Sequence, residues 1–136
     1  MTRFLLDTNI VADLIRNPGG VIAQRIAEVG EEQVVLSVVV ACELRFGAAK
    51  SGSPRLTRRV EQVLDALEVL GLEPPIDATY ASMRKALEVA GTPLGPNDLL
   101  IAAHAKTLGL TVVTDNEREF ARVKGLNVVN WLRAKS

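Results

Sequence analysis

At 136 residues, 48% of them hydrophobic, the chain suits one domain over residues 1–136 that buries about two thirds of its unfolded surface without disulfide staples. Sixteen basic side chains balance sixteen acidic ones, so bulk charge announces no nucleic-acid partner, and no apolar stretch approaches the roughly 18 residues of a membrane-spanning helix. The single cysteine, Cys42, excludes an internal disulfide and a thiolate metal cluster, and the single histidine, His104, excludes a histidine-rich zinc site. Cys42, beside an apolar run, reads as a small core residue. His104 follows Asp98 by six residues on one helix, about 600° of rotation, and reads as a packing histidine turned away from the Asp98 face. No basic leader with a long apolar segment opens the chain, so a cytoplasmic protein without a membrane partner is expected.

The elements alternate between strand and helix. A strand over about Arg3 to Leu6 leads to a helix through Ile10 and Ile15 that stops at Asn17-Pro18-Gly19-Gly20. Val21 to Val29 forms a second helix, with Ile22, Ile26 and Val29 on one face. A strand over Gln33 to Leu36 passes to Ser37, an N-cap for a helix to about Lys50. After the turn Ser51-Gly52-Ser53-Pro54, a helix over Leu56 to Leu67 presents Val60, Val63, Leu64 and Leu67 to the core. Val69 to Leu72 is the third strand, and Asp77 to Val89 is a helix burying Tyr80, Met83, Leu87 and Ala90. Asn97 caps a helix from Asp98 to about Thr107; Leu110 to Thr114 is the fourth strand, a short helix covers Glu117 to Phe120, and Asn127 to Val129 is the last strand. Strands separated by helices predict an α/β fold with a mostly parallel sheet and right-handed crossovers. The first two helices carry Ile10, Leu14, Ile22 and Ile26, more apolar surface than one small sheet needs, which predicts a homodimer.

Four acidic positions fall where strands give way to helices: Asp7, Glu43, Asp98 and the Asp115-Asn116 pair. Carboxyl ends of strands are where open α/β sheets bind ligands. Convergent carboxylates repel by roughly 3 kcal/mol per pair at about 5 Å and an effective dielectric near 20, so a fold that gathers them needs a cation. Oxygen ligands without sulfur or clustered imidazole select a hard divalent ion, which lowers the pKa of a bound water and stabilises charge on a phosphate. Taken singly, each acid has an ordinary reading as a helix cap or solvated side chain. From Leu44 to Val60 the chain carries Arg45, Lys50, Arg55, Arg58 and Arg59 and no acid, a candidate phosphate-binding run.

Phe4-Leu5-Leu6-Asp7-Thr8-Asn9-Ile10, Ala41-Cys42-Glu43-Leu44-Arg45-Phe46-Gly47, Pro96-Asn97-Asp98-Leu99-Leu100-Ile101-Ala102-Ala103-His104 and Val113-Thr114-Asp115-Asn116-Glu117 occur in this order along the whole chain. Together they resemble the PIN-domain ribonucleases, and among these the VapC toxins of bacterial VapBC toxin–antitoxin pairs. The resemblance implies a three-layer α/β/α domain with about five strands and an Mg²⁺-dependent endoribonuclease in which Mn²⁺ can substitute. It also implies a homodimer inhibited by a VapB-type antitoxin. By position, Asp7, Glu43 and Asp98 match the family's acids, with Asp115 and Asn116 at the fourth place. Which of Asp115, Asn116 and Glu119 reaches the metal is left open. Thr8, Asn9, Ser37 and Thr114 are expected to support the acids with hydrogen bonds. A tRNA, initiator tRNA first, is the expected substrate; the alternative is an inactive PIN-like module that binds RNA or protein. A receiver-like signalling domain is disfavoured because Glu73-Pro74 and Asn130-Trp131 stand where its phosphoacceptor and lysine belong. A dehalogenase-type phosphatase is disfavoured by Asn9 in place of a second Asp.

Overall fold

The computed structural model describes residues 3–133. Five strands, β1 (Phe4–Leu6), β2 (Val34–Ser37), β3 (Glu68–Leu70), β4 (Thr111–Val113) and β5 (Val128–Val129), pair in the order β3-β2-β1-β4-β5. Every pairing is parallel, so the sheet is wholly rather than mostly so. Seven α-helices accompany it among the described residues: α1 (Thr8–Arg16), α2 (Val21–Val29), α3 (Val38–Ser51), α4 (Pro54–Ala66), α5 (Ile76–Val89), α6 (Pro96–Leu108) and α7 (Glu117–Phe120). The result is a three-layer α/β/α architecture. No described helix is long and apolar enough to cross a membrane.

The strands are apolar on both faces because helices cover both, as parallel sheets require. Leu5, Leu6, Val35, Leu36, Val112 and Val113 are fully buried, and Ile10, Val11, Ile22, Val40 and Ile101 pack on them from the helices. Ile10, Ile22 and Ile26 are therefore spent in this core. They do not form the surplus apolar surface from which a homodimer was expected; only Leu14 of that set remains half-buried.

Side-chain caps set the helix starts. Ser37 Oγ accepts from Val39 N–H at 3.2 Å to open α3, and Ser53 Oγ accepts from Leu56 N–H at 3.1 Å to open α4, with Pro54 in the first turn. Gly109 closes α6 at φ 68°, a conformation a Cβ would strain.

Several local expectations shift. β3 lies at Glu68–Leu70, earlier than Val69 to Leu72, because its register is fixed by pairing with Val35–Ser37. Helix α6 opens at Pro96 with Gly95 as cap, so Asn97 is an exposed first-turn residue and not the cap. Proline's fixed φ suits the first helical position. Cys42 is exposed, not in the core, because Val39, Val40, Ala41 and Leu44 already supply the buried face of α3. Ala90 is exposed and Tyr80 only half-buried, since α5 rests on the core through Ile76, Met83 and Leu87.

Candidate active site

Strands β2 and β3 lie on one side of β1, and β4 and β5 on the other, so the connectivity reverses between β1 and β4. Such a reversal opens a crevice at the carboxyl ends of the two strands. Asp7 stands in it. Directly after β1, it is the N-cap of α1 and only 4% exposed. Its Oδ1 accepts from Thr8 N–H at 2.8 Å, and its Oδ2 accepts from the Thr114 hydroxyl at 2.8 Å across the crevice. The Thr114 Oγ1 in turn accepts from Asn116 N–H at 2.9 Å. Burial raises the Asp7 pKa above its ordinary value; the bonds from Thr114 and Thr8 oppose that rise, and Glu43 adds to it.

The other acids arrive from separate elements. Glu43, half-buried in the second turn of α3, accepts from Thr8 Oγ1 at 2.9 Å, so Thr8 serves two carboxylates, one through its N–H and one through its hydroxyl. Asp98 sits in the first turn of α6, where the helix N-terminus favours negative charge. That favour is overruled: burial and the negative charges of Asp7, Glu119 and Glu43, in that order, push the Asp98 carboxyl up to about 6. Glu119, on α7, receives a hydrogen bond from Asn116 Nδ2. None of Asp7, Glu43, Asp98 or Glu119 has a cationic side chain within ion-pair distance among the described residues. Nor do three acids stand close enough there to make a closed metal cage. The arrangement is an open acidic pocket held by hydroxyl and amide donors.

The expected site residues therefore divide. Asp7, Glu43 and Asp98 come together, supported by Thr8 and Thr114. Asn116 touches the group through Glu119. Asp115 does not join it: its carboxylate is exposed and accepts from Asn130 Nδ2 at 3.0 Å, on a rim where Arg133 pairs with Glu117 at 3.2 Å. Asn9 is exposed and makes no side-chain hydrogen bond among the described residues. Ser37 is fully buried and caps α3, and its Oγ lies 2.9 Å from His104 Nδ1, so it links α3 to α6 and does not touch a carboxylate. Burial lowers the His104 pKa and keeps the ring neutral, with Nε2 lacking a partner among the described residues. Nothing in the sequence marked that link, because its two members lie 67 residues apart.

The basic run is also divided. Arg45 pairs with Glu61 and ties α3 to α4, while Arg59 donates to the Ile15 carbonyl at 3.3 Å. Lys50, Arg55 and Arg58 are exposed and form no ion pair among the described residues.

The PIN domain family profile matches residues 4–126. This chain is a PIN-domain protein of the VapC family. It is 37% identical over 132 residues to the tRNA(fMet)-specific endonuclease VapC of Salmonella typhimurium, covering 96% of this chain and 99% of that one. It is 38% identical over 133 residues to ribonuclease VapC2 of Haemophilus influenzae, covering 97% and 100%. Among solved structures, DNA-bound VapBC from Salmonella typhimurium superposes with a TM-score of 0.86 at 36% identity, over 96% of this chain and 99% of that chain. VapBC2 from Rickettsia felis bound to a promoter DNA fragment gives 0.89 at 30% identity, over the same shares. The acidic residues lie at the switch point of this fold.

Proposed function

We propose that this chain, as a single PIN domain over residues 1–136, is the toxin of a type II toxin–antitoxin pair and cleaves RNA with Mg²⁺, or Mn²⁺ in its place. One observation carries the reading: Asp98 is buried enough, and Asp7, Glu119 and Glu43 lie near enough to it, that its carboxyl is pushed up to about 6, with no described cation within ion-pair distance of any of the four. The donor set fits a hard divalent ion, because it offers only oxygen. Asp7 and Asp98 would hold it, with Glu43 and Glu119 reaching it through retained waters and Asn116 orienting Glu119; Asp115 serves the rim. When bound, the ion supplies charge that stabilises the phosphodiester in transit and acidifies an attacking water.

The chain's own residues do the rest. Thr8 and Thr114 fix both oxygens of Asp7, so that carboxylate is pre-oriented before substrate arrives. Burial and the neighbouring acids push the Asp98 carboxyl up to about 6, so it is the acid whose charge a bound cation would favour most. Glu43 is steered by the Thr8 hydroxyl.

The Salmonella relative's name, tRNA(fMet)-specific endonuclease, makes initiator tRNA the first substrate to try. The VapBC structures support a VapB-type antitoxin as the partner, and a cytoplasmic toxin restrained by it is part of this reading. A groove of about 240 Å³ lined by Leu14, Ala23, Ile26, Val63 and Leu67 suits an apolar segment of such a partner. An antitoxin arginine directed at the carboxylates would replace the cation, because its fork can pair with two oxygens. A homodimer accompanies this reading. Purified, antitoxin-free protein should cut structured RNA with Mg²⁺ or Mn²⁺ and stop in excess EDTA. Undiminished cleavage in EDTA would sink the metal mechanism.

A further inference from the structure

Helix α3 carries more than Glu43 on its pocket side. Phe46, Gly47 and Lys50 follow at spacings of three, four and seven, which keeps each within about 60° of the direction in which Glu43 points. Phe46 lies roughly 4.5 Å further along the helix axis and Lys50 roughly 10 Å. The side chains on this strip are unlike. Glu43 is half-buried in the acidic pocket, Phe46 is 68% exposed, and Gly47 leaves open space, with nothing within 4 Å of where a Cβ would stand. Lys50 is exposed and unpaired among the described residues, as are Arg55 and Arg58 in the first turns of the adjoining α4.

Phe46 is the only aromatic among the large hydrophobic residues that the described structure leaves exposed, and it contributes nothing to the core. Arg45, the residue before Phe46, pairs with Glu61 and joins α3 to α4. An aromatic face beside a reactive pocket, then a gap, then unneutralised cations is the pattern of a single-stranded nucleic-acid track: bases stack on the ring and phosphates meet the charges.

We propose that Phe46 is a nucleobase-stacking site. It takes the unpaired base next to the scissile phosphate, while Lys50, Arg55 and Arg58 carry the strand's phosphates away from the acidic pocket. This assignment rests on the ribonuclease reading and specifies how the substrate is gripped: the RNA must offer a looped or single-stranded base, because a base locked in a duplex cannot lie on the ring. The charge complements the occupant, since the strip has cations but no acid beyond Glu43 until Glu61.

The test uses full-length toxin, in EDTA to prevent cleavage, and an RNA hairpin whose loop carries a fluorescent adenine analogue quenched by stacking. Wild type should bind and quench it. Phe46→Ala should bind about tenfold more weakly with quenching lost, within the range that base–aromatic stacking contributes. Phe46→Leu, which keeps apolar bulk but has no ring face, should behave like the alanine variant, and Phe46→Trp should restore both affinity and quenching. Lys50→Gln should weaken binding and flatten its salt dependence without changing the quenching. Wild-type affinity in the leucine or alanine variant, in a toxin that still cleaves with Mg²⁺, would overturn the stacking site and leave the ribonuclease reading intact. A fall in molar mass of Phe46→Ala by light scattering would overturn it by assigning the ring to a contact between copies. A wild-type toxin that neither binds nor cuts any RNA would refute the ribonuclease reading, and the site with it.

Discussion

Asp7 and Asp115 begin from the same local signal and end in opposite settings. Each follows an apolar run on a central strand, yet Asp7 is buried and doubly bonded while Asp115 lies exposed against Asn130. Register explains the difference. Leu6 pairs with Val113, so the residue beside Asp7 on the next strand is Thr114, and Asp115 is one step further along. A one-residue step reverses the direction of a side chain at a strand end. The position facing the crevice from β4 holds a hydroxyl, and the fourth negative charge near Asp98 comes instead from Glu119, in the first turn of α7. Sheet register, not proximity to a strand end, selects the acids that meet.

The comparison can be broken most directly by removing charge. Asp7→Asn and Asp98→Asn should each reduce RNA cleavage by at least about a hundredfold, the usual cost of losing a preorganised contact to the reacting centre. Soluble variants with wild-type rates would show that the pocket is not the catalytic centre. Glu119→Gln should lower cleavage by roughly tenfold or more and weaken Mn²⁺ binding in calorimetry, whereas Asp115→Asn should change either by less than about twofold. The reverse order would return the fourth place to Asp115.

Much of this was legible in the sequence. The strand–helix alternation and the Ser37 cap appear in the structure as read, because apolar periodicity and strand-end placement are local signals; Asp7 and Glu43 also lie near enough to Asp98 to raise its pKa. The partition of Asp115 from Glu119 was not legible, since it depends on pairing between strands more than a hundred residues apart. Nor was the exposure of Cys42 or the Ser37–His104 link, which follow from how α3 and α6 pack.

A smaller effect sharpens the Asp7 half of the contrast. Thr114→Val removes the donor to Asp7 Oδ2 and should lower stability by about 1.5 to 3 kcal/mol in urea titration, as expected for a buried hydrogen bond to a charged group. An unchanged midpoint would mean that the bond contributes nothing to the folded state.

The smallest effect is on pH. Asp98 has a folded pKa of about 6 against an ordinary value of 3.8, so the folded protein binds its proton more tightly than the unfolded chain does. Its contribution therefore favours folding at low pH and is lost as pH rises between those two values. Metal-free toxin should show this loss on a thermal melt, Asp98→Asn should show less of it because only Asp7 keeps a raised pKa, and added Mg²⁺ should reverse it in the wild type. A melt of the variant that follows the wild-type curve would place the titration elsewhere.

The bond between Thr114 and Asp7 spans 107 residues. During synthesis β1 is made well before its neighbour β4 and the hydroxyl that orients Asp7. Asp7 therefore gains its oriented carboxylate only once β4 has been made and has paired with β1. Nascent chains arrested just before Leu110 should show no RNA cleavage even with Mg²⁺, and activity at that length would contradict the delay.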